Sequence, residues 1–219
     1  MKTFKARIDI LPPGQLRLLP ALEPVRRLGF VLYGGTAIAL RLGHRCSIDF
    51  DFFATDPLNK EILRSNLEFL ASSEVLQDEP NALSVLTPES VKVSFFGALG
   101  FGRYGNPDLT ENGVLAVASL DDLMALKVKV ILQRVESKDY IDVAAMLGAG
   151  VSLEKGLAVA AKMFAPHFSV MAALKALAYF EGGDLAELSA ETKDLLVQAV
   201  DRVSQLPEIS QLSPALNAG

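Results

Sequence analysis

The sequence predicts an α/β (α+β) chain in which a small mixed sheet comes first and a bundle of helices follows. Three observations carry that expectation. Residues 30–53 read as strand, glycine turn, helix and strand in quick succession; short β-prone runs separated by turn residues continue to about residue 118; and from residue 119 onward helical spacing and alanine-rich stretches dominate. The expected division is a sheet-bearing core over 1–118 and a helical region over 119–219 that closes one side of a cleft. Half of the 219 residues are hydrophobic, enough to build a core of that size.

Taken in order, residues 15–28 follow a Pro-Pro-Gly turn, repeat apolar side chains at helical spacing and stop near Gly29, as a lead helix does. Residues 30–33 form a short apolar run broken by Gly34 and Gly35, and 36–42 favour helix through Ala and Leu. Residues 47–53 alternate, with Ser47, Asp49 and Asp51 polar and Ile48, Phe50 and Phe52 apolar, which is the period of a strand. Residues 58–72 look helical, and 74–77, 82–86 and 91–96 are β-prone runs that extend the same sheet. Residues 97–112, rich in Gly, Asn, Pro and Asp, read as a long loop, and 114–118 as a last short strand. Ser119 with Asp122 forms a capping box for a helix to about residue 134, and Ser137 suits the cap of another to about 147. Stretches at 156–163, 169–180 and 189–204 complete the helical part.

Charge narrows the function classes. With 21 Lys and Arg against 26 Asp and Glu the chain carries a net charge of -5, so any polynucleotide contact must be local rather than a basic face. The single cysteine, Cys46, cannot form an internal disulfide and has no partner at metal-ligand spacing, which points to a reduced thiol and a cytoplasmic protein. The first residues contain Asp9 and two prolines where a signal peptide needs an apolar stretch, and no run reaches the roughly 18 apolar residues of a membrane helix.

The residues suited to chemistry lie around the first glycine turn. Asp49 and Asp51, two apart on a strand, project from one face and repel each other; a hard divalent cation relieves that repulsion, and so does exposure of an edge strand to water. Gly34, Gly35 and Thr36 lie between a strand and a helix N-terminus, where backbone amides favour a phosphate, although turn geometry alone also uses such a tripeptide. Lys127 has Leu123, Met124, Val130 and Ile131 on its helix face and so needs an anion: a phosphate, a carboxylate partner, or escape of its ammonium to solvent. Lys129 looks solvated. Asp139 and Asp142 share a face near a helix start, fit either to position an acceptor or act as base, or to favour the helix dipole. Gly100 to Gly105 satisfies a GxGxxG pattern, but Pro107 and a polar loop follow it, against a dinucleotide site. His44 and His167 lack partners at ligand spacing, and Arg41 and Arg45 read either as solvated charges or as part of a nucleotide or acceptor groove.

Gly34-Gly35-Thr36-Ala37, the segment Leu40 to Arg45, and Ser47-Ile48-Asp49-Phe50-Asp51-Phe52-Phe53 resemble the first motif of the AbiEii/AbiGii toxin family, nucleotidyltransferases of the DNA polymerase β type. Lys127 in Leu-Lys-Val-Lys and Asp139 in Lys-Asp-Tyr-Ile-Asp are similar to that family's later motifs, and the resemblance spans about residues 28–147. It implies a minimal polymerase β-like core and transfer of a nucleoside monophosphate from a nucleoside triphosphate (NTP) to an RNA, tRNA included, or to a protein acceptor. It implies Mg2+ or Mn2+ on Asp49 and Asp51, the nucleotide at Gly34, Gly35, Thr36, Ser47 and Lys127, and Asp139 assisting the attacking hydroxyl. A cognate antitoxin protein is the implied partner. The chain departs from the superfamily pattern at Ser94, where a third carboxylate is commonly found; a decayed module that binds a nucleotide or a partner without turnover is the competing expectation.

Overall fold

Strand alternation at 49–53 finds its physical counterpart in the middle of the sheet. The computed structural model describes residues 1–218. Among these, eight strands form one mixed sheet: β1 (Thr3–Phe4), β2 (Val31–Tyr33), β3 (Asp49–Phe53), β4 (Glu74–Glu79), β5 (Ala82–Leu86), β6 (Lys92–Phe96), β7 (Asp108–Thr110) and β8 (Ala116–Val117), in the order β1-β7-β8-β2-β3-β6-β5-β4. β3 pairs antiparallel with β2, Tyr33 opposite Asp51, and parallel with β6, Asp49 beside Lys92 and Asp51 beside Ser94. Each alternate residue of β3 therefore belongs to one of two faces. Phe50 and Phe52 are fully buried with Leu32, Val93 and Phe95, and the Phe52 and Phe95 rings stack at 5.5 Å. Burial of each such ring is worth about 1.5–3 kcal/mol, which fixes the register, since a slip of one residue would turn the phenylalanines out and the aspartates in.

Helices in this part are short. α1 (Pro13–Leu18) and α2 (Glu23–Arg27) replace the single lead helix expected at 15–28, with a 3-10 turn at Leu19–Leu22 between them. Pro20 and Pro24 supply no backbone N–H and stiffen the chain there, which breaks the run. α3 (Gly34–Leu42) follows β2 directly and ends at Gly43, which takes the left-handed conformation and donates its N–H to the Ala39 carbonyl at 2.7 Å. α4 (Lys60–Asn66) begins at Asn59, whose side chain accepts from the Ile62 N–H. The expected loop at 97–112 contains β7, which pairs with β1 on one side and β8 on the other.

The chain divides into two compact units, one of residues 1–119 with the segment from Leu212 onward, the other Leu120–Gln211. The tail thus departs from the helical region where the sequence reading put it. It is held by Arg103, whose backbone N–H donates to the Ser213 carbonyl at 2.9 Å and whose guanidinium donates to the carbonyls of Ala215 and Asn217, while Leu216 is buried.

The helical unit consists of α5 (Leu120–Val130), α6 (Ser137–Gly148), α7 (Leu153–Met163), α8 (Val170–Leu177) and α9 (Ala190–Arg202). Serines 152, 169 and 189 cap α7, α8 and α9 by accepting backbone N–H bonds. Ser137 does not cap α6: Glu136 occupies that position, and Ser137 bonds through both its N–H and its hydroxyl to the Asp184 carboxylate at 2.6 Å. α5 and α7 approach closely at Gly156, where a side chain would strike Met124. No helix of the described residues is long and apolar enough to cross a membrane.

Candidate active site

The face of β3 opposite the phenylalanines carries Asp49 and Asp51, both half-exposed. Gly34, the first residue of α3, is pressed against the second of them. A Cβ placed on Gly34 would lie 2.6 Å from the Asp51 Oδ2, and its φ of +74° is one that side chains rarely adopt, so glycine is required twice over. Thr36 is buried rather than exposed to a ligand: its hydroxyl donates to the Asp49 carbonyl and lies 2.9 Å from the Ser47 hydroxyl. It fixes the backbone that carries Asp49. The structure thus brings together Gly34, Gly35, Thr36, Ser47, Asp49 and Asp51 where the glycine turn meets β3.

Next along the sheet, Ser94 stands in register with Asp51 and is fully buried; Ser84 of β5, its own register partner, donates to its hydroxyl at 3.0 Å. The position of a third acid is therefore occupied by a hydroxyl pair. Among the described residues no group of three or more His, Cys, Asp or Glu side chains is arranged to hold a metal. Two carboxylates do fit a magnesium-like cation, which commonly takes one or two protein carboxylates and completes its shell with phosphate oxygens and water.

Lys127 and Asp139 lie in the helical unit and are joined to each other. The Lys127 ammonium, almost wholly buried, is 2.6 Å from Asp139 Oδ1 and 2.6 Å from Asp142 Oδ2. Of the partners the sequence left open for Lys127, the carboxylate is the one present. Asp139 is also gripped by Arg134, whose Nε and Nη2 donate to its two oxygens at 2.7 and 3.0 Å. Burial pushes the Asp139 carboxyl up, but the Arg134 bonds and the Lys127 charge outweigh it and hold the group below the ordinary aspartate range. Held so, the carboxylate is a weak base.

Other candidates resolve into structure. Arg41 is committed within the fold and scarcely exposed: its guanidinium bonds Asp108 at 3.0 Å and the carbonyls of Val117 and Ala118, and lies over the Phe4 ring, so it ties α3 to β1, β7 and β8. Arg45 donates to the Cys46 carbonyl at 2.8 Å. The Gly100–Gly105 stretch is followed by β7 rather than a helix, as a dinucleotide loop would require. Two residues escaped notice in the sequence, Arg134, whose grip on Asp139 depends on the contact between successive helices, and Lys92, whose place beside Asp49 depends on sheet register.

The family model described as nucleotidyl transferase AbiEii toxin, type IV toxin-antitoxin system, matches residues 17–210. The chain belongs to that family. A curated relative of this AbiEii-family chain, the uncharacterized protein aq_aa25 of Aquifex aeolicus (strain VF5), is 33% identical over 128 residues, which are 56% of this chain and 61% of that protein. The chain thus spans less than two thirds of that relative's length. Among solved structures, the antibiotic-resistance factor ANT(2'')-Ia superposes with a TM-score of 0.52 at 14% identity, over 67% of this chain and 88% of that one, a likeness of fold. MenT4, the nucleotidyltransferase toxin Rv2826c of Mycobacterium tuberculosis H37Rv, superposes with a TM-score of 0.49 at 14% identity, over 86% and 87% of the two chains.

Proposed function

We propose that this AbiEii-family chain transfers a nucleoside monophosphate from an NTP to an RNA or protein acceptor in the cytoplasm and is the toxin of a pair with a separate antitoxin. The observation that carries the reading is the carboxylate pair on one face of β3 with the Gly34 backbone closed against Asp51. Asp49 and Asp51 would hold magnesium or manganese. Bound there, the cation supplies Lewis-acid polarisation of phosphate oxygens. The N–H groups at the start of α3 orient the phosphates, Ser47 lies beside them, and Thr36 keeps Asp49 in place through its carbonyl. An acceptor hydroxyl attacks the α-phosphate, a P–O bond forms, its proton leaves to solvent or a base, and pyrophosphate departs. The family resemblance also assigns Lys127 and Asp139 to transfer, and their substitution is expected to lower it.

The test is incubation of the protein, and of an Asp49→Ala, Asp51→Ala double variant, with each α-labelled triphosphate, magnesium or manganese, and total cellular RNA and protein. Label transferred by the unsubstituted protein alone is the expected result. The hydroxyl pair at Ser94 and Ser84 favours a second reading, a module that binds nucleotide without turnover. Triphosphate binding without transfer under either metal would establish it in place of the first.

A further inference from the structure

Lys92 opens β6 beside Asp49, in parallel register with it, so its side chain leaves the sheet on the face of Asp49 and Asp51. We infer that Lys92 binds the phosphates of the triphosphate and is a site residue of this face; the inference rests on the triphosphate reading given above.

Three observations lead there. Lys92 is half-buried, the burial of a lysine whose stem lies against the protein and whose ammonium stays within reach of water or a ligand. Its nearest carboxylate by register is Asp49, yet among the described residues neither side chain enters an ion pair, so the two are not simply a cross-strand pair offsetting each other's charge. Several other cations are committed elsewhere: Arg41 to Asp108, Lys60 and Arg64 to Asp78, Arg103 to the tail carbonyls, and Lys127 to Asp139 and Asp142.

Charge then makes the assignment. A divalent cation on Asp49 and Asp51 roughly cancels the two carboxylates, which leaves the negative charge of the triphosphate to be met by the protein. A lysine is a compact point charge on a flexible stem, suited to phosphate oxygens whose positions shift as pyrophosphate forms.

Equilibrium binding of a non-hydrolysable α,β-methylene triphosphate in magnesium, read by calorimetry, tests this on the whole chain. Lys92→Gln is expected to weaken binding by about tenfold or more, the loss of one charge-assisted bond, while Lys92→Arg retains most of the affinity. Binding of the matching nucleoside without phosphates should stay within about twofold in all three proteins, since the substitution removes a phosphate contact only. Lys92→Met replaces the glutamine variant if that one melts below the assay temperature. Triphosphate affinity unchanged in Lys92→Gln, with the unsubstituted protein binding normally, overturns the role of Lys92 alone. An unsubstituted, folded protein that binds no triphosphate overturns both this inference and the reading on which it rests.

Discussion

A lysine on an apolar helix face must find a counter-charge, and Lys127 finds two buried ones, Asp139 and Asp142, while the half-exposed Arg134 grips Asp139 from the rim. The balance has a measurable consequence. Lys127→Met would leave the carboxylates short of a partner in a site with almost no water, at a cost of about 3–5 kcal/mol in chemical denaturation, even with Arg134 retained. A melting transition unchanged by the substitution would show that the set adds nothing to the fold. Acid should act in a related way. Because Asp139 titrates below its ordinary value in the folded chain, its contribution is complete above the unfolded aspartate pKa of about 3.9 and is lost as pH falls through the lower folded value. Stability from this group is therefore flat from neutrality to about pH 5 and drops only below about pH 4, and Arg134→Gln should make that acid drop smaller, because the folded value then lies closer to the unfolded one. Gly34 works by the opposite principle, keeping a side chain away from a carboxylate rather than supplying one.

Among the elements, β3 and β6 decide what the sheet can hold. β3 was legible because Phe50 and Phe52 alternate with Asp49 and Asp51, and a period of two admits one face assignment. β6 was legible as a strand and Ser94 as the place of a third acid, yet Lys92 drew no notice until register set it beside Asp49, since Val-Lys-Val-Ser reads locally like any half-buried strand. β1 and β7 escaped the sequence for a different reason: they are two and three residues long and exist through pairing with each other and with β8, far apart in the chain. The helices after residue 119 were clear from their spacing, and the shared face of Asp139 and Asp142 left a carboxylate partner open for Lys127, but which helices meet to make that link is not written in the periodicity of either. Ser94→Asp tests the β6 position directly. A third carboxylate beside Asp51 and against Ser84 should lower the melting temperature without metal, and millimolar magnesium or manganese should restore much of the loss. A melting temperature indifferent to metal would mean that the three carboxyls do not share a cation.

At the scale of the whole molecule, the chain builds a sheet-bearing unit, then a helical one, and returns its last residues to the first. The return is anchored by backbone bonds between Arg103 and Ser213, by the Arg103 guanidinium and by Leu216, so a chain ending at Gln211 loses the partners of Arg103 and the burial of Leu216. A loss of about 2–4 kcal/mol follows from those contributions, visible as a lower thermal midpoint, and an unchanged midpoint would mark the tail as decoration. The parallel contact between β3 and β6 sets the timetable of assembly. Asp49 and Asp51 are synthesised early, but the neighbours that seat their strand, β6 and, beyond β2, β8, come much later. A nascent chain still short of β8 holds both carboxylates without the finished sheet around them, and on the reading proposed above it is chemically silent until the sheet closes.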